Sequence, residues 1–330
     1  MTTERFLIPG LLLASIISLA AACLLGSTPL DPGRVVAALI GQASAGDMLV
    51  VWQIRLPRAL AAFVVGAALG ASGAALQGLL RNPLAEPGVL GVSASASLGA
   101  TFALYYGLVG LSPWALPIAA IAGALIATAL IALAAIRTRS VVTLILIGVG
   151  LSSFAGAAMS LLMNLAPNPF SLSDMINWML GSVANRSFDD LRLASPFLFV
   201  GLMILFTHRR GLSALTLGEE AASGVGLNLR RQWIAVVLGA GLTTGGAVAI
   251  AGAIGFVGII APHIVRPFVA HDPARSLLPS ALLAGIILVL ADIGVRLLPT
   301  SSELKLGVVA ALIGAPAFVW IAAQRRIGND

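Results

Sequence analysis

Gly66-Ala67-Ala68-Leu69-Gly70-Ala71-Ser72-Gly73 and Gly239-Ala240-Gly241-Leu242-Thr243-Thr244-Gly245-Gly246 are the stretches that decide the fold class. Each lies inside an apolar run and puts Gly, Ala or Ser on almost every face of a helix. In lipid such surfaces let neighbouring backbones approach and gain dispersion contacts, so both read as tightly packed membrane helices. They open the two halves of the chain, on the second and the seventh apolar span. That step is odd, so an internal repeat relating them is inverted across the membrane.

Working outward, 59% of the 330 residues are hydrophobic, 10% are charged, and mean hydropathy is +1.03. Soluble domains carry about a quarter charged residues, so water is not the main solvent of this chain. Apolar runs of about 20 residues suit a bilayer core of about 30 Å. They are expected near 6–26, 57–79, 90–108, 114–136, 141–165, 191–207, 232–252, 254–270, 279–298 and 306–323. This predicts an all-α polytopic protein of about ten spans and one membrane domain, 1–330, without a separate soluble domain.

Basic residues cluster between spans, so the net charge of +6 reads as loop asymmetry rather than as a nucleic-acid surface. An even number of spans puts both termini on one side. With that side cytoplasmic, Arg5, Arg81, Arg137, Arg139, Arg209, Arg210, Arg230, Arg231, Arg266, Arg275, Arg325 and Arg326 lie inside. Arg34, Arg55, Arg58, Arg186, Arg192, Arg296 and Lys305 lie outside and ask for a separate reason.

Cys23 is the single cysteine, which excludes an intrachain disulfide and a cysteine metal cluster. The first apolar segment reads as a retained signal anchor rather than a cleaved leader. A P-loop needs a lysine after its glycine-rich turn, and the chain's one lysine is Lys305, in Ser302-Glu303-Leu304-Lys305-Leu306. No nucleotide site is expected. Ion-driven transporters place carboxylates or histidines at membrane depth; here the acidic residues fall near predicted span ends, with Asp292 the deepest. Another subunit is therefore expected to supply the energy, and an ion-driven secondary transporter of a small solute is the alternative. The three histidines form no cluster, and His263 beside Pro262 reads as a structural hydrogen-bonding residue.

The longest cytoplasmic connection, about 208–231, holds Leu217-Gly218-Glu219-Glu220-Ala221-Ala222-Ser223-Gly224-Val225-Gly226. Gly218 and Gly224 bracket a short helical stretch, since glycine ends one helix and lets another start at a new angle. Leu215, Leu217, Val225, Leu227 and Leu229 are many apolar side chains for a solvated loop and point to a docking surface. On the other side, about 167–190 is expected to form a re-entrant or short helix, with Trp178 as an interface anchor.

Arg55-Leu56-Pro57-Arg58, Gly66-Ala67-Ala68-Leu69, Ser72-Gly73, Gln77 and Arg81-Asn82-Pro83-Leu84-Ala85-Glu86-Pro87-Gly88-Val89-Leu90-Gly91 together carry a resemblance. So do Leu217-Gly218-Glu219, Gly252-Ala253-Ile254-Gly255-Phe256-Val257-Gly258, Pro262-His263-Ile264-Val265-Arg266, Ala291-Asp292, Arg296 and Gly314-Ala315-Pro316-Ala317-Phe318. The sequence resembles the FecCD-type permeases of ATP-binding-cassette importers for iron-siderophores, haem and vitamin B12, over nearly its whole length.

The resemblance implies a type II importer permease fold in the bacterial inner membrane, as a homodimer of ten-helix subunits. Two ATPase subunits would dock below and one periplasmic substrate-binding protein above. The permease itself would be no enzyme and bind no cofactor, with ATP and Mg used by the ATPase. It also implies roles for residues. Arg55, Arg58 and Arg296 would receive acidic side chains from the binding protein at an exposed rim. Leu217, Gly218, Glu219, Glu220, Ala221, Gly224 and Gly226 would form the coupling helices. Asn82 and Leu84, with Val141, Val142 and Thr143, would form the gate at the cytoplasmic mouth, although smaller hydroxyl residues are expected near Val141 in the vitamin B12 members. The cargo has no readable motif.

Overall fold

The computed structural model describes residues 2–26, 29–137, 141–299 and 303–327, leaving aside the side chains of residues 2–5, 136, 141 and 320–327. Its helices in chain order are α1 (Thr2–Leu24), α2 (Pro32–Leu39), α3 (Ala45–Leu49), α4 (Leu56–Leu80), α5 (Val92–Tyr105), α6 (Ala115–Arg137), α7 (Val141–Asn164) and α8 (Pro169–Met179). Then come α9 (Phe188–Thr207), α10 (Arg209–Leu215), α11 (Glu219–Gly224), α12 (Leu229–Ala251), α13 (Val257–Val265), α14 (Pro273–Leu297) and α15 (Leu306–Ile327). A π-helical turn, Val50–Arg55, joins α3 to α4. No strand occurs among the described residues.

All ten expected spans have a helix, but they are of two kinds. Seven are long and apolar enough to cross a membrane, whereas α5 and α13 with its following turn are shorter; α15 runs for 22 residues. Several starts are written locally. Asn168 before Pro169, Ser187 with Asp190, Asn228, and Asp272 before Pro273 each give a side-chain oxygen to an otherwise unpaired backbone N–H of the first turn.

The core lies where the two glycine-rich helices meet. The α4 helix packs along α14, and α12 packs along α6 and α9. A Cβ on Gly73 would overlap the Gly258 carbonyl, and one on Gly66 would overlap the backbone at Ala284. Only glycine permits backbones this close, and the gain is dispersion along their length. Where α4 and α12 cross, the Ser72 and Thr243 hydroxyls meet; each has one proton, so one donates across to the other while the other donates to a carbonyl of its own helix, Ala68 O or Gly239 O. Both of these buried hydroxyls thereby have partners.

The halves are related as an inverted repeat, α4–α7 to α12–α15. In each, a long helix is followed by non-helical chain and a short helix, residues 81–91 before α5 and 252–256 before α13. Gly148 of α7 abuts Leu90 ahead of α5, as Gly314 of α15 abuts Phe256 ahead of α13. The α5 helix, with 14 residues, rises about 21 Å and cannot cross alone. Both breaks lie within the height of the bundle, buried against protein, which is where irregular backbone is tolerated. Sequence reasoning had placed full spans at 90–108 and 254–270. The periodicity of an apolar half-helix does not differ from that of a whole one, and the corresponding boundaries move for that reason.

Candidate functional site

Contacts between α4 and α14 run antiparallel, Gly66 against Ala284 and Gly78 against Pro273, so the bundle has two defined ends. One carries Arg58, the end of α14 and the end of α1. The other carries Arg81, Arg266 and the α10–α11 pair.

At the Arg58 end, one carboxylate organises two guanidiniums. Asp292 accepts from Arg58 Nε at 3.0 Å and Nη2 at 2.7 Å, and pairs with Arg296 Nε at 3.1 Å, one helical turn away. Arg58 also pairs with Glu303, through Nη1 at 3.2 Å and through Nη2. Arg296 Nη1 reaches the carbonyls of Ala22 and Leu25 at 3.1 Å. Arg55 Nη1 reaches those of Cys23 and Leu24 at 2.8 Å. These are the last carbonyls of α1 and its immediate continuation, which have no partners within the helix and form the negative end of its dipole. Arg55 and Arg296 therefore cap α1 from outside.

The three arginines do converge, but not on an exposed rim. Arg55 and Arg58 are buried, and the Arg296 side chain is nearly so. The expected exposure is corrected for a plain reason: three helix ends meet here, and their carbonyls and carboxylates draw the guanidiniums inward. Arg296 Nη2 is left buried with no acceptor among the described residues.

Beside this cluster, α2 and α3 are joined by Arg34 and Asp47 at 2.7 Å. Further round the same end, Arg186 stacks over Trp178 at 5.1 Å and lines a cavity of about 420 Å³ with Asp174, Asp190 and Lys305. Burial pulls the Arg186 guanidinium below its ordinary pKa, with the nearby Asp190 charge opposing. Trp178 is thus packed within the protein. The segment 167–190 contains the short helix α8 that was expected there.

The opposite end is open. The α11 helix lies between Gly218 at φ +97° and Gly226 at φ +89°, conformations that favour glycine at both bends. Leu215 is buried and Leu227 and Leu229 partly so, while Leu217 and Val225 are 68% and 71% exposed. Glu220 and Ala221 are also exposed, and Glu219 is half-buried. A cleft of about 290 Å³ beside the pair is lined by Gln77, Arg81, Thr216, Arg266, His271 and Asp272.

The residues expected to form a gate lie towards this end on adjoining elements. Asn82 Oδ1 accepts from Leu84 N at 3.0 Å, fixing the turn after α4. Gly148 of α7 abuts Val89 and Leu90, and Leu144 one turn earlier belongs to the same buried cluster as Leu80 and Ala85. Val142 and Thr143 are exposed, and the Val141 side chain lies outside the described residues, as do Arg5, Arg139, Arg325 and Arg326.

One residue escaped sequence reasoning. Glu86, expected near a span end, sits in the first break and accepts from Phe256 N at 3.1 Å, in the second break. Phe256 has φ +66°, a strained conformation for an aromatic residue, and its ring packs edge-on to Phe318 at 6.2 Å. The signal available was a carboxylate between two prolines, Pro83 and Pro87, in an otherwise apolar stretch.

A chain with two broken helices in inverted halves, and a glycine-bracketed helix pair at one end, has its counterparts among known importers. The sequence profile of the FecCD transport family matches residues 11–324. The chain belongs to that family. It is 42% identical over 284 residues to the vitamin B12 import system permease protein BtuC of Citrobacter koseri, covering 86% of this chain and 85% of the relative. It is 40% identical over 286 residues to an uncharacterized ABC transporter permease protein, YvrB, of Bacillus subtilis, covering 85% and 80%. A solved ABC transporter assigned to the metal-chelate type, in an inward-facing conformation, superposes with a TM-score of 0.84 at 30% identity, covering 97% of this chain and 99% of that one. This FecCD protein is therefore a multi-pass membrane permease of an ABC importer, with the type II permease fold.

Proposed function

We propose that this chain is one half of a homodimeric permease in a bacterial inner membrane that imports a metal chelate: an iron(III)-siderophore, haem or cobalamin. The observation that carries this reading is the contrast between its ends. The α10–α11 end offers exposed apolar side chains and carboxylates on a small rigid helix pair, a surface fit for ATPase subunits. Leu217, Gly218, Glu219, Glu220, Ala221, Gly224 and Gly226 form that surface, and this end, with both termini, faces the cytoplasm. The Arg58 end faces a periplasmic binding protein. There Arg58 meets the partner's acids directly, and Arg55 and Arg296 hold the end of α1 in place beneath it. Asn82, Leu84, Val141, Val142 and Thr143 form the cytoplasmic gate between two copies. The whole of 1–330 acts as one permease domain, without a cofactor of its own. Support for the substrate class comes from the named cargo of the BtuC relative and the type of the solved transporter; cobalamin and iron chelates are separated by test.

Reconstitution in proteoliposomes decides the matter. Uptake of cobalamin, haem or an iron(III)-siderophore is expected only when the ATPase, the binding protein and ATP are all present. Uptake by the permease alone, driven by an ion gradient, would establish a secondary transporter instead.

A further inference from the structure

The Arg58 guanidinium holds two carboxylates, and they are not equivalent. Asp292 sits on α14 with its side chain 2% exposed, shared with Arg296 and fixed by the helix that bears it. Glu303 comes from the chain just before α15, its side chain 39% exposed, and holds Arg58 through both Nη atoms. Arg58 itself is only 10% exposed. Removing Asp292 from it would strand buried charge, whereas removing Glu303 returns a half-exposed carboxylate to water at little cost. The site therefore has one permanent and one exchangeable ligand.

Asp292 is shared by Arg58 and Arg296 and Glu303 pairs with Arg58, yet Arg296 Nη2 still has no acceptor among the described residues. One donor of the cluster is thus left over even with Glu303 in place. A further carboxylate is therefore electrostatically welcome, and the Nη1 and Nη2 atoms held by the half-exposed Glu303 offer it a place.

Glu303 is also tied to the helix beyond it. Two residues on, the Lys305 carbonyl accepts from Val308 N and Val309 N at the start of α15, and Gly307 N donates to the Gly181 carbonyl at 3.0 Å. The backbone of Glu303 thus leads straight into the anchored beginning of α15.

We propose that Glu303 is an internal stand-in for a carboxylate of the docking protein: it occupies Arg58 in the free permease and is displaced when an acidic side chain of the binding protein arrives, while Asp292 stays. This rests on the reading of the Arg58 end as the docking surface. Docking then exchanges one ion pair for another instead of desolvating a bare arginine, and releases the chain entering α15.

The test is the affinity of the binding protein for the assembled permease–ATPase complex in nanodiscs. Glu303→Gln is expected to tighten binding about fivefold, the scale of a partly exposed ion pair. Glu303→Asp, too short to span the same gap, is expected to tighten it in the same direction. Asp174→Asn removes an exposed carboxylate of α8 at the same end and is expected to leave affinity within about twofold, because rim charges away from the contact act weakly. Unchanged or weakened binding in both Glu303 variants overturns the stand-in role. So does equal tightening by Asp174→Asn, which would reduce the effect to net charge. Arg58→Gln separates the two levels: if it leaves affinity intact the docking reading falls, whereas lost affinity with insensitive Glu303 variants leaves docking standing and removes only the exchange.

Discussion

The two ends of this permease solve opposite problems. At the Arg58 end, charges are plentiful and nearly all are answered from within: Asp292 by two arginines, Arg58 by two carboxylates, and the last carbonyls of α1 by Arg55 and Arg296. At the α11 end, Leu217 and Val225 stand exposed, and Glu220 has no ion pair among the described residues. A surface closed on itself persists in water, and on the proposed exchange at Arg58 it takes a partner by swapping ion pairs. One that leaves apolar side chains uncovered favours a partner that covers them. The comparison teaches that a transient and a lasting interface are distinguishable before either partner is seen, by whether the free surface is already satisfied.

The largest expected effect breaks the closed end. Asp292→Ala leaves the Arg58 and Arg296 guanidiniums buried without their shared counter-ion, a loss of about 3–5 kcal/mol. It should appear as a lowered melting temperature and a poor yield of monodisperse protein. Wild-type stability would show that water or lipid head groups compensate, and that the end is not closed at all.

The open end is expected to respond the other way round. Leu217→Asp combined with Val225→Asp should leave the melting temperature of the isolated permease within about 1 °C, because neither side chain is buried and surface changes are close to neutral. Retention of the ATPase on purification should fall about tenfold or more, as when apolar anchors are removed from an interface. A stability loss with ATPase retained would mean that these residues serve the fold.

The smallest effect sharpens the difference between the partners. Raising salt from about 0.05 M to about 0.5 M should weaken capture of the binding protein severalfold, since long-range attraction between the approaching charged faces is screened over that range. Co-purification of the ATPase, resting on apolar contact, should change little. Equal salt sensitivity at both ends would erase the distinction.

Much of this was legible in the chain. The positions of ten apolar helices followed from hydropathy, because in lipid every backbone group must be bonded within its own segment. Starts such as Asn168-Pro169 and Asp272-Pro273 were written in two residues. The α2–α3 pair and the π-helical turn at 50–55 were not foreseen, since these short elements carry mixed polarity and are held by contacts with α1 and by the Arg34–Asp47 pair. The i,i+4 spacing of Asp292 and Arg296 was present in the sequence, but the same carboxylate also serves Arg58, 234 residues away. Nothing local announces such a partner.

By itself, then, the sequence determined the solvent, the placement of the ten apolar helices, the glycine faces on which they pack, and the family to which the chain belongs. Tertiary structure alone decided that two of those helices are halves, that Glu86 bridges their breaks, and that the outer arginines turn inward to cap α1. The physical reason is range. Hydropathy and capping are settled within a few residues of one another, whereas the partner of a buried charge is chosen only when distant helix ends meet.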